Sequence, residues 1–215
     1  MTMLENRPTA GHVTYRFWRV VAGLALIGWP VLHFLGFLTS PPGETHEPPV
    51  FREHATLVQA SAVFLHYGAV LLAPVVLGLA YLLHDRMPRL AALAGLLGAV
   101  AAINGSGLLM MDFYDLALAE SVPDDQAVAI MNLAGGYAGV LYGFLLPAFL
   151  VHPALVVLTA ALARTGRARW WQPVLLVAGL ALPFVAASAA PVVQSAGALL
   201  IAAALMPLGV RLLRR

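Results

Sequence analysis

Cysteine and lysine are both absent from the 215 residues. Without cysteine there is no disulfide, no thiolate metal ligand and no cysteine nucleophile. Without lysine there is no amine to form a Schiff base. Charge is scarce as well: 10% of residues are charged, against 61% hydrophobic. A soluble domain carries roughly 25% charged and 45–50% apolar residues. The composition therefore points to one integral membrane domain over residues 1–215. The heavy use of Ala, Leu, Val, Gly and Arg suggests a bacterial source, so a bacterial cytoplasmic membrane is the expected location.

A spanning helix needs about 20 mostly apolar residues. Six runs qualify: 17–39, 55–83, 89–115, 134–163, 170–190 and 192–212. The expected fold is all-α, a polytopic membrane bundle of about six transmembrane helices. The first run lacks a small-residue cleavage site at its end, so it is expected to be a retained helix. The last two runs meet in "AAPVVQSAG", a tight connection at Pro191.

The arginines test this topology. Arg7, Arg16 and Arg19 lie at the start of the first run, and Arg86 and Arg89 between the second and third. Arg164, Arg167 and Arg169 separate the fourth from the fifth, and Arg211, Arg214 and Arg215 end the chain. With six spans, eleven of the twelve arginines fall on one side and Arg52 on the other. The positive-inside rule makes that side cytoplasmic, with both termini inside. Arginines spread over four segments do not make a nucleic-acid interface, so no nucleic-acid partner is expected.

The opposite side carries two long acidic loops. The first, "SPPGETHEPPVFREH", holds Glu44, His46, Glu47, Glu53 and His54. The second follows Asp115 and holds Glu120, Asp124 and Asp125 with no basic residue. Loops this long are either lids over the bundle or solvated outer segments.

Between them lies "SGLLMMDFYDLALAE", residues 106–120. An Asp at mid-bilayer costs roughly 2.5–3.5 kcal/mol, yet Asp112 and Asp115 arrive three residues apart. Asp112 is about 35 Å along a helix from Arg89, which places it near the outer interface. On a continuous helix Asn104, Leu108 and Asp115 share one stripe, with Asp112 at its edge. One reading is that the aspartates mark the end of the span. The other is an outward-facing polar pocket, because polar groups of other helices gather at similar depth. These are Trp29 and His33, then Glu53, His54, Gln59, His66 and Tyr67, then Asn132, Tyr137 and Tyr142, then Gln194. His152 precedes Pro153, which frees a backbone carbonyl in the preceding turn, and a structural role is expected for it.

Most chemistries lack their residues. There is no H-E-x-x-H, and His33 and His66 lie at different depths, so neither metal nor haem is expected. Ser106 in a Gly-rich turn has no G-x-S-x-G context. "DFYD" lacks the carboxylate density of diphosphate sites. What remains is acid-initiated chemistry on a lipid, which needs an acid held protonated in apolar surroundings and aromatic faces to stabilise cations.

The size, the number of helices and the lone acids among aromatics resemble the small membrane-integral terpene cyclases of meroterpenoid and indole-sesquiterpenoid pathways. The residues that carry the resemblance are Asp112, Asp115 and Glu53. It implies a cofactor-independent enzyme that protonates an epoxide or alkene of an isoprenoid chain and closes rings. "DFYD" departs from the D-x-D-D of soluble protonating cyclases. The candidate catalytic set is Asp115, Asp112, Glu53 and His66. The candidate substrate-binding set is Trp29, His33, Phe64, Tyr67, Asn104, Tyr114 and Tyr142, with Tyr114 and Asn104 orienting the acid. A transporter or lipid-binding subunit using the same polar face is the alternative. The expected partners are a lipophilic small molecule and the lipid bilayer.

Overall fold

The computed structural model describes residues 10–42 and 47–214, with side chains from Arg16 onward. Arg7, Glu44, His46 and Arg215 lie outside the described residues. Every regular element among the described residues is helical. In chain order they are α1 (Ala10–Leu38), α2 (Pro48–Glu53), α3 (Ala55–Leu83), α4 (Pro88–Leu108), α5 (Met111–Ser121) and α6 (Asp124–Gly135). Then come α7 (Ala138–Val140), a π-helical turn (Leu141–Leu145), α8 (Leu146–Phe149), α9 (Val151–Arg164), α10 (Trp171–Val185) and α11 (Pro191–Leu213). Prolines open α2, α4 and α11, where a missing N–H costs nothing.

Five stretches are long and apolar enough to cross a membrane: Arg16–Leu38, Ala55–Leu83, Pro88–Ser121, Ala138–Arg164 and Pro191–Leu213. The sixth expected helix, 170–190, is the shorter α10 of 15 residues. At 1.5 Å per residue it is about 22 Å long, less than a bilayer core of about 30 Å. It stops at Val185 because a turn follows, tied by Gln194, whose Nε2 donates to the carbonyls of Ala187 (2.8 Å) and Ala189 (3.0 Å).

Three other expectations are corrected. The run 89–115 is not one helix: it breaks at Leu109–Met110, where the Met110 N–H bonds the carbonyl of Gly107. The segment after Asp115 is not a loop but the rest of α5 and all of α6. The run 134–163 is interrupted by the π turn and again before Val151. Pro147 and Pro153 explain the interruptions, since each lacks the N–H that would bond four residues back. For Pro153 that orphan acceptor is the Phe149 carbonyl, and His152 Nδ1 meets it at 3.3 Å.

The core fills the arginine-rich half. Leu26, Leu79, Leu83, Leu155, Leu158 and Leu205 are wholly buried there. Small residues let the helices close up. A Cβ on Gly179 would lie 2.6 Å from the Gly197 carbonyl, so α10 and α11 cross backbone to backbone. The same end is tied by polar contacts. Arg167 makes a two-pronged ion pair with Asp85 and also donates to the Leu82 carbonyl. Arg211 donates to the Arg167 carbonyl at 2.7 Å. The Arg167 guanidinium draws the Asp85 carboxyl down to about 2. Buried Gln172 bridges the Arg169 N–H (2.8 Å) and the Ala204 carbonyl (2.6 Å).

At the opposite end α2, α5 and the start of α3 form a small second core of Phe51, Val58, Leu116 and Ala119. Arg52 fastens it. Its guanidinium donates to the Ala119 carbonyl in the last turn of α5 (2.9 and 2.6 Å) and pairs with Asp124 at 2.6 Å. A cation at a helix C-terminus satisfies orphan carbonyls and opposes the helix dipole.

Candidate functional site

A half-open cavity of about 540 Å³ lies at this second end. It exists because α10 stops short and α1 stops in "TSPP". In that stop, Thr39 Oγ1 donates to the Leu35 carbonyl (2.7 Å), and Pro41 and Pro42 prevent the helix from resuming. Phe37, Ser40 and Pro41 reach the cavity from the end of α1, and Val58, Ser61 and Leu65 from α3. Glu47 and Phe51 close it from the α2 side, and Asp112 from α5. Pro183, Phe184, Ala187 and Gln194 complete it from α10, the turn and α11.

One wall is a hydroxyl pair. Gly36 allows α1 to approach α3 so closely that a Cβ there would lie 2.5 Å from the Leu65 side chain. The closeness brings Ser61 Oγ to the Gly36 carbonyl at 2.9 Å. Ser40 Oγ reaches the same carbonyl at 3.2 Å, and the two hydroxyls are 3.0 Å apart. Both can spend their protons on Gly36, which leaves oxygen lone pairs on the wall. Gln194 likewise spends its amide protons on the turn, leaving Oε1 as its acceptor end. With the carboxyls of Glu47 and Asp112, the polar lining is made of acceptors and acids. Three phenyl rings, Phe37, Phe51 and Phe184, supply the apolar walls.

The two aspartates are separated by this arrangement. Asp112 lines the cavity, while Asp115 is 6% exposed, one turn further along α5 beside buried Leu116. The helix expected to carry Asn104 and Asp115 on one stripe is interrupted by a turn at Leu109–Met110. Asn104 turns back on its own helix, donating from Nδ2 to the Val100 carbonyl at 2.9 Å. Tyr114 is 65% exposed and outside the cavity lining.

Other predicted residues also have definite places. Glu53 is exposed on α2 and outside the lining. His66 Nδ1 meets the Ser106 carbonyl at 3.1 Å. A carbonyl only accepts, so Nδ1 carries the proton and the contact clasps α3 to the end of α4. Trp29 is buried, and its ring leads through His33 (5.7 Å) to Phe37 (4.8 Å from His33) at the cavity wall. Phe64 is half-buried, and Tyr67 and Tyr142 are exposed on the outside of the bundle. None of these three lines the cavity. Ser40, Ser61 and Phe51 were not among the expected site residues, and Glu47 was expected only as an acid of the first outer loop. The helix stop "TSPP" and the i, i+3, i+7 stripe Val58, Ser61, Leu65 are the signals that mark two of the walls.

Among the described residues no group of three His, Asp or Glu is arranged to hold a metal ion. Comparison with known proteins returns no match to any family model, curated protein or solved structure.

Proposed function

We propose that the chain crosses a bacterial cytoplasmic membrane six times, short α10 included, with the arginine-rich end inside. We further propose that the outer cavity binds an isoprenoid-like molecule and cyclises it, with Asp112 as the acid. The observation that carries this reading is the carboxyl of Asp112, with that of Glu47, in a cavity walled by Phe37, Phe51 and Phe184. The chain offers no cysteine or lysine to trap a cation. Phenyl faces stabilise cationic centres by their quadrupoles.

The chemistry balances without an oxidant or a reductant. Asp112 donates its proton to an epoxide oxygen or a terminal alkene carbon of the substrate. The C–O bond or the π bond breaks, and the cation is captured by the electron pair of an internal alkene as the new C–C bond forms. Loss of a proton to the Asp112 carboxylate ends the sequence and restores the acid. The product is an isomer of the substrate.

The helix break at Leu109–Met110 and the π turn favour a second reading, since transporters carry interrupted helices at their sites. The wholly buried leucines beneath the cavity support the enzyme instead, because a transport path must cross that half. The two readings separate in one assay. Purified protein in nanodiscs is given a farnesyl- or geranylgeranyl-bearing epoxide, and products are resolved by chromatography and mass. The enzyme reading expects a new product of unchanged mass that is absent with Asp112→Asn. Uptake of the intact compound into sealed vesicles, with no isomer formed, would replace it with transport.

A further inference from the structure

A second depression, about 320 Å³, lies between α9 and α10. Its walls are almost wholly apolar, with Val156 on one side and Val177 and Ala181 on the other; His152 is the polar exception. Phe184 lines both this crevice and the cavity of Asp112. Its ring lies 6.2 Å from Phe149 and 6.2 Å from His152, so aromatic contacts bridge the gap between the two helices. On α10 the crevice extends from Val177 to Phe184, about 10 Å at 1.5 Å per residue. It therefore descends from the cavity toward the middle of the bundle, on helices whose surroundings in a membrane are hydrocarbon.

We infer that this crevice holds the apolar chain of the molecule whose polar end occupies the cavity, and that Phe184 is the gate between them. The inference rests on the proposed use of the cavity for a lipophilic molecule. Two observations and the proposed topology commit it to a single chain with an uncharged polar end, and the proposed cyclisation makes that chain isoprenoid. The crevice and the cavity share one lining ring, Phe184, which stands between them. Head at the outer end and tail toward mid-membrane is the orientation of an outer-leaflet amphiphile, so the molecule arrives sideways from the bilayer. The cavity lining holds Glu47 and Asp112 but no described arginine or histidine, which disfavours a phosphate headgroup.

The test is photo-crosslinking of the full chain in phosphatidylcholine nanodiscs. One probe is a farnesol-type alcohol with a diazirine at its tail end. The other is phosphatidylcholine with a diazirine on an acyl chain. The isoprenoid probe should mark residues 152–156 and 177–184 several-fold more than exposed Leu96 and Leu97 of α4. Filling the crevice with Ala181→Trp should reduce that labelling several-fold; Val177→Trp gives the same reading if the first variant does not fold. If the wild type labels in this pattern but converts no prenyl epoxide, the crevice stands and the acid chemistry falls. Equal labelling by the phospholipid probe, or labelling indifferent to both tryptophans, overturns the inference.

Discussion

The two ends of the bundle are built on opposite plans. At the arginine-rich end helices run their full length, leucines are wholly buried, and Arg167, Arg211 and Gln172 tie the connections together. At the other end α1 and α10 stop early, short helices replace spanning ones, and a cavity opens among serines, acids and phenyl rings. Wholly buried side chains gather at one end, and acids and hydroxyls line a cavity at the other.

Four variants sharpen that contrast, beginning with the largest effect. Asp112→Asn should lower turnover by about 10²–10⁴-fold, the usual contribution of a positioned acid, while its melting temperature stays close to that of the wild type. A turnover assay and a melting curve on the same preparation check both halves of the statement; a folded variant with full activity removes Asp112 from the chemistry. Gly179→Val should do the reverse. A side chain driven into the Gly197 backbone costs about 1–3 kcal/mol of stability, seen as a lower melting temperature. A variant with unchanged melting would show that the α10–α11 crossing is slack.

Arg52→Ala should have a smaller effect, because its ion pair with Asp124 is about half exposed and such pairs are worth roughly 0.2–1 kcal/mol. Protease cleavage within α5 and α6 should nonetheless quicken, since the Ala119 carbonyl loses its donor. Unaltered cleavage would mean that the small core of Phe51 and Leu116 holds these helices alone. The least effect is expected from acid at the other end. The Asp85 carboxyl is held at about 2, below its ordinary value of 3.8. A depressed carboxyl stabilises the fold above its ordinary value, and the contribution fades as pH falls from about 3.8 through about 2. Wild type and Asp85→Asn should therefore differ in melting temperature at neutral pH and converge near pH 2. A constant gap across that range would remove the ion pair as the cause.

Much of the sealed end was legible in the sequence. Apolar runs and arginine spacing are local signals, and they locate the spanning stretches and their arginine-rich end. The bond of His152 to the Phe149 carbonyl also follows from one fact, that Pro153 has no N–H. The open end was less legible because its features depend on neighbours. Nothing in "SGLLMMDF" breaks helical periodicity, yet a turn interrupts the helix at Leu109–Met110. The segment at 124–135 opens on two aspartates and lies mostly outside the long apolar runs, so it reads as a loop, whereas in the fold it is helical with Ala127 buried. Ser61 stands between apolar neighbours in the sequence. Only the approach permitted by Gly36 turns it toward a carbonyl on α1 and makes it part of a wall.

The contrast between a sealed end and an open one can be tested directly because the chain has no cysteine of its own. Ser61→Cys places a thiol on the cavity wall, and Thr159→Cys places one in the buried core of α9. Intact cells are treated with a small membrane-impermeant methanethiosulfonate, and labelling is followed by mass. The thiol at 61 should react and the thiol at 159 should stay unlabelled until the protein is denatured. Equal protection of both, or reaction at 159 alone, would contradict an outward-opening cavity above a closed core.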